Sequence, residues 1–357
     1  MTTMPSTYSA QKSTITHYAI TTLVTLSVSL LLFIMALLFG AVNLSPEEVF
    51  SAITYSNNNT EHIAIIWDIR LPRASLAMLA GAHFAIAGVI LQTVIRNPLS
   101  DPSVIGANGG ASLAIVICLL LGDYIQAHFF PEQQQIISLS WLPAIALVGA
   151  LSATSFVLKL SWKSQLQTSQ LALNGVAVGA TLNALVMWCV LAWGGNRTET
   201  SIIWLAGSLY ARDFTHVGLL LPWTLVALGA FFMLHKRLNV MQLDAVSASS
   251  LGLNVKLWRF IFIFIATCFC ASALAVTGPL GFIGLIVPHI ARTLLKGTAF
   301  ATRLKHISLL SLLVGAALTL AADIVSRTLI APLEIPTGTL TTLIGIPILL
   351  VILRKQG

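Results

Sequence analysis

The side chains of this chain that could do chemistry are few and widely spaced. Four cysteines, Cys118, Cys189, Cys268 and Cys270, all lie inside apolar runs. Cys268 and Cys270 are two positions apart, so on a helix they point to different faces. Their spacing suits neither a disulfide framework nor a metal site. His83 and His289 stand alone among apolar neighbours and read as packed, hydrogen-bonded histidines rather than ligands or proton relays. Asp323 is the one candidate for a carboxylate at membrane depth, and Arg327 four residues on makes it a local ion pair on a helix. No G-x-x-x-x-G-K-[ST] occurs, so no loop of this chain is built to cradle ATP phosphates. No serine sits in a G-x-S-x-G elbow. The glycines of Gly106–Ala107–Asn108–Gly109–Gly110 have no following lysine and read, like Gly81, Gly88 and Gly315, as places where helices approach closely. The expectation is a chain with no catalytic residue and no metal. It also lacks both an ATPase motif and the buried acids of an ion-coupled carrier, so a transporter built on it would draw energy from a partner.

The elements that must hold these residues follow from composition. Charged residues number 31 of 357, or 9%, where a soluble domain carries about 25%. So few charges cannot cover a water-facing surface, which excludes an ordinary soluble enzyme, a disordered chain and a disulfide-rich module. The apolar runs are continuous rather than alternating, which excludes a β-barrel. The net charge of +7 is not a nucleic-acid signal, because the basic residues form no face. The fold class expected is therefore an all-α polytopic membrane protein.

A span needs about 20 apolar residues. Ten candidates meet or approach this: Tyr18–Val42, Ala74–Ile95, Val104–Leu121, Trp141–Leu158, Leu171–Trp193, Val217–Leu234, Phe260–Val276, Gly281–Leu295, Ile307–Ser326 and Gly338–Leu353. The first is too long for the core of a cleaved signal peptide. Those at Val104 and Gly281 are short and interrupted by Gly and Pro, and are expected to be broken or re-entrant. The outer segments Asn43–Ile69 and Gly195–His216 each have room for a short surface helix. With ten spans and the N-terminus inside, 14 basic residues fall on the cytoplasmic side and five (Arg70, Arg73, Arg197, Arg212 and Arg327) fall outside. Both termini are then cytoplasmic. Residues 1–15 form a polar tail and 16–357 a single membrane domain, with a long inner loop at about 235–257.

Several passages share one resemblance. They are Arg70-Leu71-Pro72-Arg73, Asn97-Pro98-Leu99-Ser100-Asp101-Pro102, Ser250-Leu251-Gly252, the block from Gly278 to Arg292 (GPLGFIGLIVPHIAR), Ala322-Asp323-Ile324-Val325-Ser326-Arg327, and Glu334-Ile335-Pro336-Thr337-Gly338. From about residue 60 onward the chain resembles the FecCD-type permeases, the membrane subunits of bacterial ABC importers for ferric siderophores, haem and cobalamin. The resemblance implies ten helices and both termini inside. It also implies an inner-membrane location and a second permease subunit, identical or paralogous. Two P-loop ATPase subunits would use ATP and Mg, while this chain binds no cofactor. A periplasmic substrate-binding protein would deliver an iron complex, with a ferric siderophore expected ahead of haem or cobalamin.

Site residues follow from the same resemblance. Arg70, Arg73 and Arg327 match arginines that dock acidic side chains of the binding protein, against the alternative that they snorkel to anchor helix ends. Asp244, Val246, Ser250, Leu251 and Gly252 match the segment coupled to the ATPase. Leu243 and Leu253 are expected to share its apolar face with Val246 and Leu251. Asn97, Leu99, Thr168 and Ser169 match a cytoplasmic gate, although Gln167 and Gln170 flank the second pair unlike the family pattern. The segments Ala74–Ile95, Leu171–Trp193 and the Gly281 block are candidates to line the path. An ion-coupled carrier and a non-transporting scaffold are the competing classes.

Overall fold

The computed structural model describes residues 7–56, 59–129, 141–193 and 198–354. Every regular element among them is helical. The order is α1 (Thr7–Leu38), α2 (Pro46–Thr54), α3 (Thr60–Ala64), a π-helical turn (Ile65–Arg70), α4 (Leu71–Ile95), a 3-10 turn (Pro102–Ile105), α5 (Ala107–Phe129), α6 (Leu142–Leu160) and α7 (Thr168–Trp193). Then follow α8 (Thr198–Leu205), α9 (Phe214–Val240), α10 (Ala245–Ser250), α11 (Val255–Thr277), α12 (Ile283–Leu294), α13 (Leu304–Thr328) and α14 (Thr337–Arg354).

Eight helical stretches are long and apolar enough to cross a membrane, and the apolar helices α12 and α14 occupy the two remaining expected positions. The molecule is an all-α multi-pass membrane protein. The Val104 span is not broken internally. Its interruption is confined to the 3-10 turn, after which α5 runs on unbroken. The Gly281 span is short, as its glycines suggested. At 12 residues and 1.5 Å per residue, α12 reaches about 18 Å, less than the ~30 Å hydrocarbon core. Gly278, with φ of 70°, separates it from α11.

The helix α4 is the axis of the bundle. It packs against α13, α11, α12 and α9, and nearly every residue from Ala80 to Ile95 is buried. A helix interior to its own subunit cannot line a path between two subunits, so the expectation for Ala74–Ile95 is corrected. The helix α7, by contrast, leaves Leu173, Val176, Met187, Trp188 and Leu191 exposed. The close approaches around α4 depend on missing side chains. A Cβ on Gly81 would stand 2.3 Å from the Gly315 carbonyl oxygen, and one on Gly88 would stand 1.8 Å from that of Gly284. With no hydrophobic drive between helices in lipid, such contacts and their dispersion energy supply the packing.

Among the polar groups buried here, one imidazole joins three helices. His83 is buried, with Nδ1 at 3.1 Å from the Phe269 carbonyl and 3.0 Å from the Ser272 hydroxyl, and Nε2 at 2.7 Å from the Thr224 hydroxyl. It joins α4, α9 and α11, the satisfied packing role expected of it. All four cysteines are free; Cys270 is buried while Cys268 is partly exposed.

Candidate functional site

At one end of the bundle the chain brings Arg70, Arg73 and Arg327 together with Asp323 and Glu334. The π-helical turn delivers Arg70 at its last position, and α4 follows at once from Leu71, with Pro72 in its first turn. Arg70 reaches back to the end of α1, where Nη1 donates to the carbonyls of Leu37 (2.6 Å) and Leu38 (2.9 Å) and Nη2 donates to that of Val42. Gly40 makes room, since a Cβ there would lie 3.2 Å from Nη2. Arg327 Nη2 donates to the Ala36 carbonyl at 2.7 Å. Two arginines thus satisfy carbonyls that a helix C-terminus leaves without partners, where the helix dipole also favours a cation.

Arg73 is held by carboxylates. Its Nε donates to Asp323 Oδ1 at 2.8 Å, and its fork donates to both oxygens of Glu334 at 2.9 Å each. Asp323 is fully buried and its other oxygen lies 3.5 Å from Arg327 Nε. Its first partner is therefore Arg73 on another helix, which corrects the expectation of a simple local pair with Arg327. Glu334 lies on the turn after α13, which is tied back by the Ile335 N–H to the Ser326 carbonyl and by the Ser326 hydroxyl to the Ile335 carbonyl. Three cations against two acids leave one net positive charge, and all three guanidinium groups are engaged within the chain. Arg212 contacts His216 instead, at 3.1 Å, and Arg197 lies outside the described residues. The short surface helices expected nearby are α2, α3 and α8. On α2, Ser45 and Glu48 cap each other, and the Ser45 backbone and hydroxyl hold the Glu48 carboxyl below its usual range.

The opposite end carries the other matched residues. Asn97 and Leu99 are exposed on the loop after α4, where the Asn97 side chain accepts the Leu99 N–H at 2.9 Å. Thr168 and Ser169 begin α7. The intervening 3-10 turn packs on α7, with the Val104 carbonyl pressed against Gly175. Arginines tie the same end: Arg96 Nε donates to the Met241 carbonyl (3.2 Å) and Arg259 Nη1 to that of Leu166 (2.6 Å). In the GPLGFIGLIVPHIAR block, Arg292 donates to the Gln92 side chain at 2.6 Å, and Gln92 donates to the Leu285 carbonyl at 2.9 Å. That link locks α12 to α4.

The loop expected at about 235–257 is shorter than that, because α9 runs to Val240 and α11 starts at Val255. Asp244 caps α10 by accepting the Ser247 N–H at 3.0 Å, and hydrogen bonds from Ser247 lower its pKa. Val246 is 76% exposed and Leu251 67%. Ser250 is exposed and its hydroxyl turns back to the Val246 carbonyl. Gly252 adopts φ of 81° with open space around it. That left-handed turn brings the Leu253 N–H to the Ala248 carbonyl and packs the partly buried Leu253 side chain against the core. Leu253 is therefore not part of the exposed apolar face, which consists of Leu243, Val246 and Leu251.

Sequence reasoning missed Glu334 as the partner of Arg73. The Glu334-Ile335-Pro336-Thr337-Gly338 motif flagged the residue but not its role. The backbone acceptors of Arg70 and Arg327 left no side-chain signal to find.

Comparison with known proteins agrees with this architecture. The chain is 38% identical over 318 residues to the Fe(3+)-citrate import system permease protein YfmE of Bacillus subtilis, covering 89% of this chain and 90% of that one. It is 33% identical over 328 residues to the Fe(3+) dicitrate transport system permease protein FecD of Escherichia coli, covering 90% and 97%. A solved structure described as an inward-facing conformation of a metal-chelate type ABC transporter superposes with a TM-score of 0.79 at 26% identity, covering 94% of this chain and 98% of that one. The model of the FecCD transport family matches residues 28–355. With ten apolar helices in the expected places and a match over nearly its whole length, the chain belongs to the FecCD transport family of ABC importer permeases.

Proposed function

We propose that this chain is one membrane subunit of an importer that moves a ferric siderophore or related ferric complex across a bacterial inner membrane. ATP is hydrolysed with Mg by two separate P-loop ATPase subunits, a second permease subunit completes the path, and a periplasmic binding protein delivers the cargo. The observation that carries this reading is α10. It presents Val246 and Leu251 to solvent on a capped helical turn, in a chain with no P-loop of its own. Exposed aliphatics on a short helix are the apolar knobs a groove on a partner would take. Relatives named for ferric citrate, achromobactin and ferric hydroxamate support an iron complex as cargo. A relative named for vitamin B12 import is 31% identical and keeps cobalamin as the second reading.

In this scheme the α10 end and both termini face the cytoplasm, and the Arg73 end faces the periplasm. Asn97, Leu99, Thr168 and Ser169 form a gate at the α10 end. At the other end Arg70 and Arg327 fix the shape of the docking face. Arg73 is the exchangeable site, because Glu334 is one quarter exposed and an incoming carboxylate can take its place on the fork. Movement of α10 by the ATPase biases the permease between two packings. The test is co-purification and uptake of labelled ferric complexes with Val246→Asp and Leu251→Asp. Loss of both ATPase retention and uptake with an unchanged melting curve is expected. Full retention of the ATPase by the double variant would overturn the coupling assignment.

A further inference from the structure

A cavity of about 350 Å³ lies between α1, α9 and α13, lined among others by Tyr18, Phe231, Lys305, His306, Ser308 and Leu312. It sits at the α10 end. There the Leu304 N–H donates to the Asn239 side chain and the Gln242 side chain donates to the Thr302 carbonyl, so the end of α9 and the start of α13 are held together. The rim is apolar and open: Phe232 is 51% exposed and Leu309 is 42% exposed. On helices of this kind such side chains face lipid.

Two polar atoms of the lining have no partner. Ser308 is 1% exposed, and its hydroxyl, like Nδ1 of His306, makes no hydrogen bond. Some helical hydroxyls of this chain, such as Thr21, Ser152 and Thr319, turn back onto the carbonyl four residues earlier; Ser308 does not, and unlike the similarly unpartnered Thr22, Thr154, Ser201 and Ser311 it lines this cavity. A buried donor without an acceptor is costly, so a ligand that offers an acceptor would satisfy the Ser308 hydroxyl, while Nδ1 of His306 can donate or accept according to its tautomer. The order of groups along α13 indicates which ligand. Lys305 is outermost, with Arg303 just before it over the Phe300 ring. Ser308 lies three residues deeper, about 4.5 Å along the axis, and Leu309 and Leu312 follow. Cation, then hydroxyl donor, then apolar wall is the sequence of phosphate, ester carbonyl and acyl chain in a glycerophospholipid. Tyr18 adds an aromatic group at the depth where such rings favour the interface, packed edge-on to His306 with centroids 4.6 Å apart.

We propose that this cavity holds the ester region of an anionic diacyl phospholipid, its phosphate toward Lys305 and one acyl chain along Leu309 and Leu312. A cationic pocket between helices at the membrane surface suits such a headgroup, and the small volume admits only part of the lipid.

The test uses the full chain in nanodiscs of phosphatidylcholine doped with phosphatidylglycerol, with retained lipid counted by native mass spectrometry. One phosphatidylglycerol is expected to be held over phosphatidylcholine. Lys305→Gln should weaken that preference by about tenfold, the worth of one charge-assisted hydrogen bond. Leu312→Trp, which fills the apolar wall, should expel both lipids while the helical circular dichroism stays unchanged. If Leu312→Trp does not fold, Lys305→Gln and Ser308→Ala decide the matter together. Equal retention of the two lipids by the wild type, or wild-type retention in both of these variants, would overturn the proposal. So would displacement of the lipid by soluble glycerol phosphate, which would mark a free phosphate ester as the ligand.

Discussion

Asp323→Asn and Glu334→Gln approach the arginine cluster from its two sides. Each removes one carboxylate charge from Arg73, but the burial differs. The Asp323 side chain is 0% exposed and that of Glu334 26%. Asp323 also stands 3.5 Å from Arg327, so its loss leaves two buried guanidinium groups with no charge between them. Removing one partner of a buried pair costs about 3–5 kcal/mol. Glu334 is reached by water, and the carboxamide oxygen of Gln still accepts one of the two bonds from Arg73, so that change should cost about 1 kcal/mol. A double-mutant cycle with Arg73→Gln separates the pairs. The coupling should be about 2–3 kcal/mol for Arg73 with Asp323 and at most about 1 kcal/mol for Arg73 with Glu334. Unfolding in mixed detergent and dodecyl sulfate micelles, followed by helical circular dichroism, gives all the values. If Glu334→Gln destabilises as much as Asp323→Asn, or if the two couplings are equal, burial does not rank these contacts and the reasoning fails.

Further outcomes follow from the same geometry. Glu334→Gln should leave the Arg73 fork underoccupied and tighten docking of an acidic binding protein, by about tenfold in Kd if one charge-assisted bond is gained; weaker docking in a surface-binding assay would count against carboxylate exchange. Gly88→Ala places a methyl against the Gly284 backbone, 1.8 Å from its oxygen, and should destabilise by more than the ~1–3 kcal/mol typical of overpacking, read as a lower melting temperature. Asp244→Ala should loosen α10 and reduce ATPase retention, whereas Asp244→Asn, which can still cap, should not. Because the carboxyl of Asp244 is lowered by its Ser247 bonds, this cap is present above the unfolded carboxyl value. It should be lost only as the pH falls through the lower folded one, seen as increased hydrogen exchange in 245–250.

Much of the fold was legible because the bilayer fixes the length of an apolar run. The runs at Leu171 and Phe260 became α7 and α11 with small shifts at their ends. The glycines marked close approaches because only a residue without a side chain admits another backbone at Gly81 and Gly88. The motifs placed Arg70, Arg73 and Arg327 at one end and Asp244 to Gly252 at the other. The direction of single side chains was less legible. Leu253 read as part of the α10 face until the positive φ of Gly252 turned it inward. The run Ala74–Ile95 read as path-lining, because an apolar helix in the protein interior and one facing a path have the same composition.

By itself the sequence determined the class, the number of apolar helices and the family. All three rest on local quantities: how long a run is, where charges interrupt it, and which short motifs it contains. The tertiary structure alone decided who binds whom. Arg73 meets Glu334 across 261 positions of chain, and Arg70 binds carbonyls that every residue possesses. A guanidinium accepts any oxygen brought to hydrogen-bonding distance, so its side chain does not name its partner. The packing of α13 on α4 and of α1 against both brings those oxygens near, and that packing exists only once the bundle has formed.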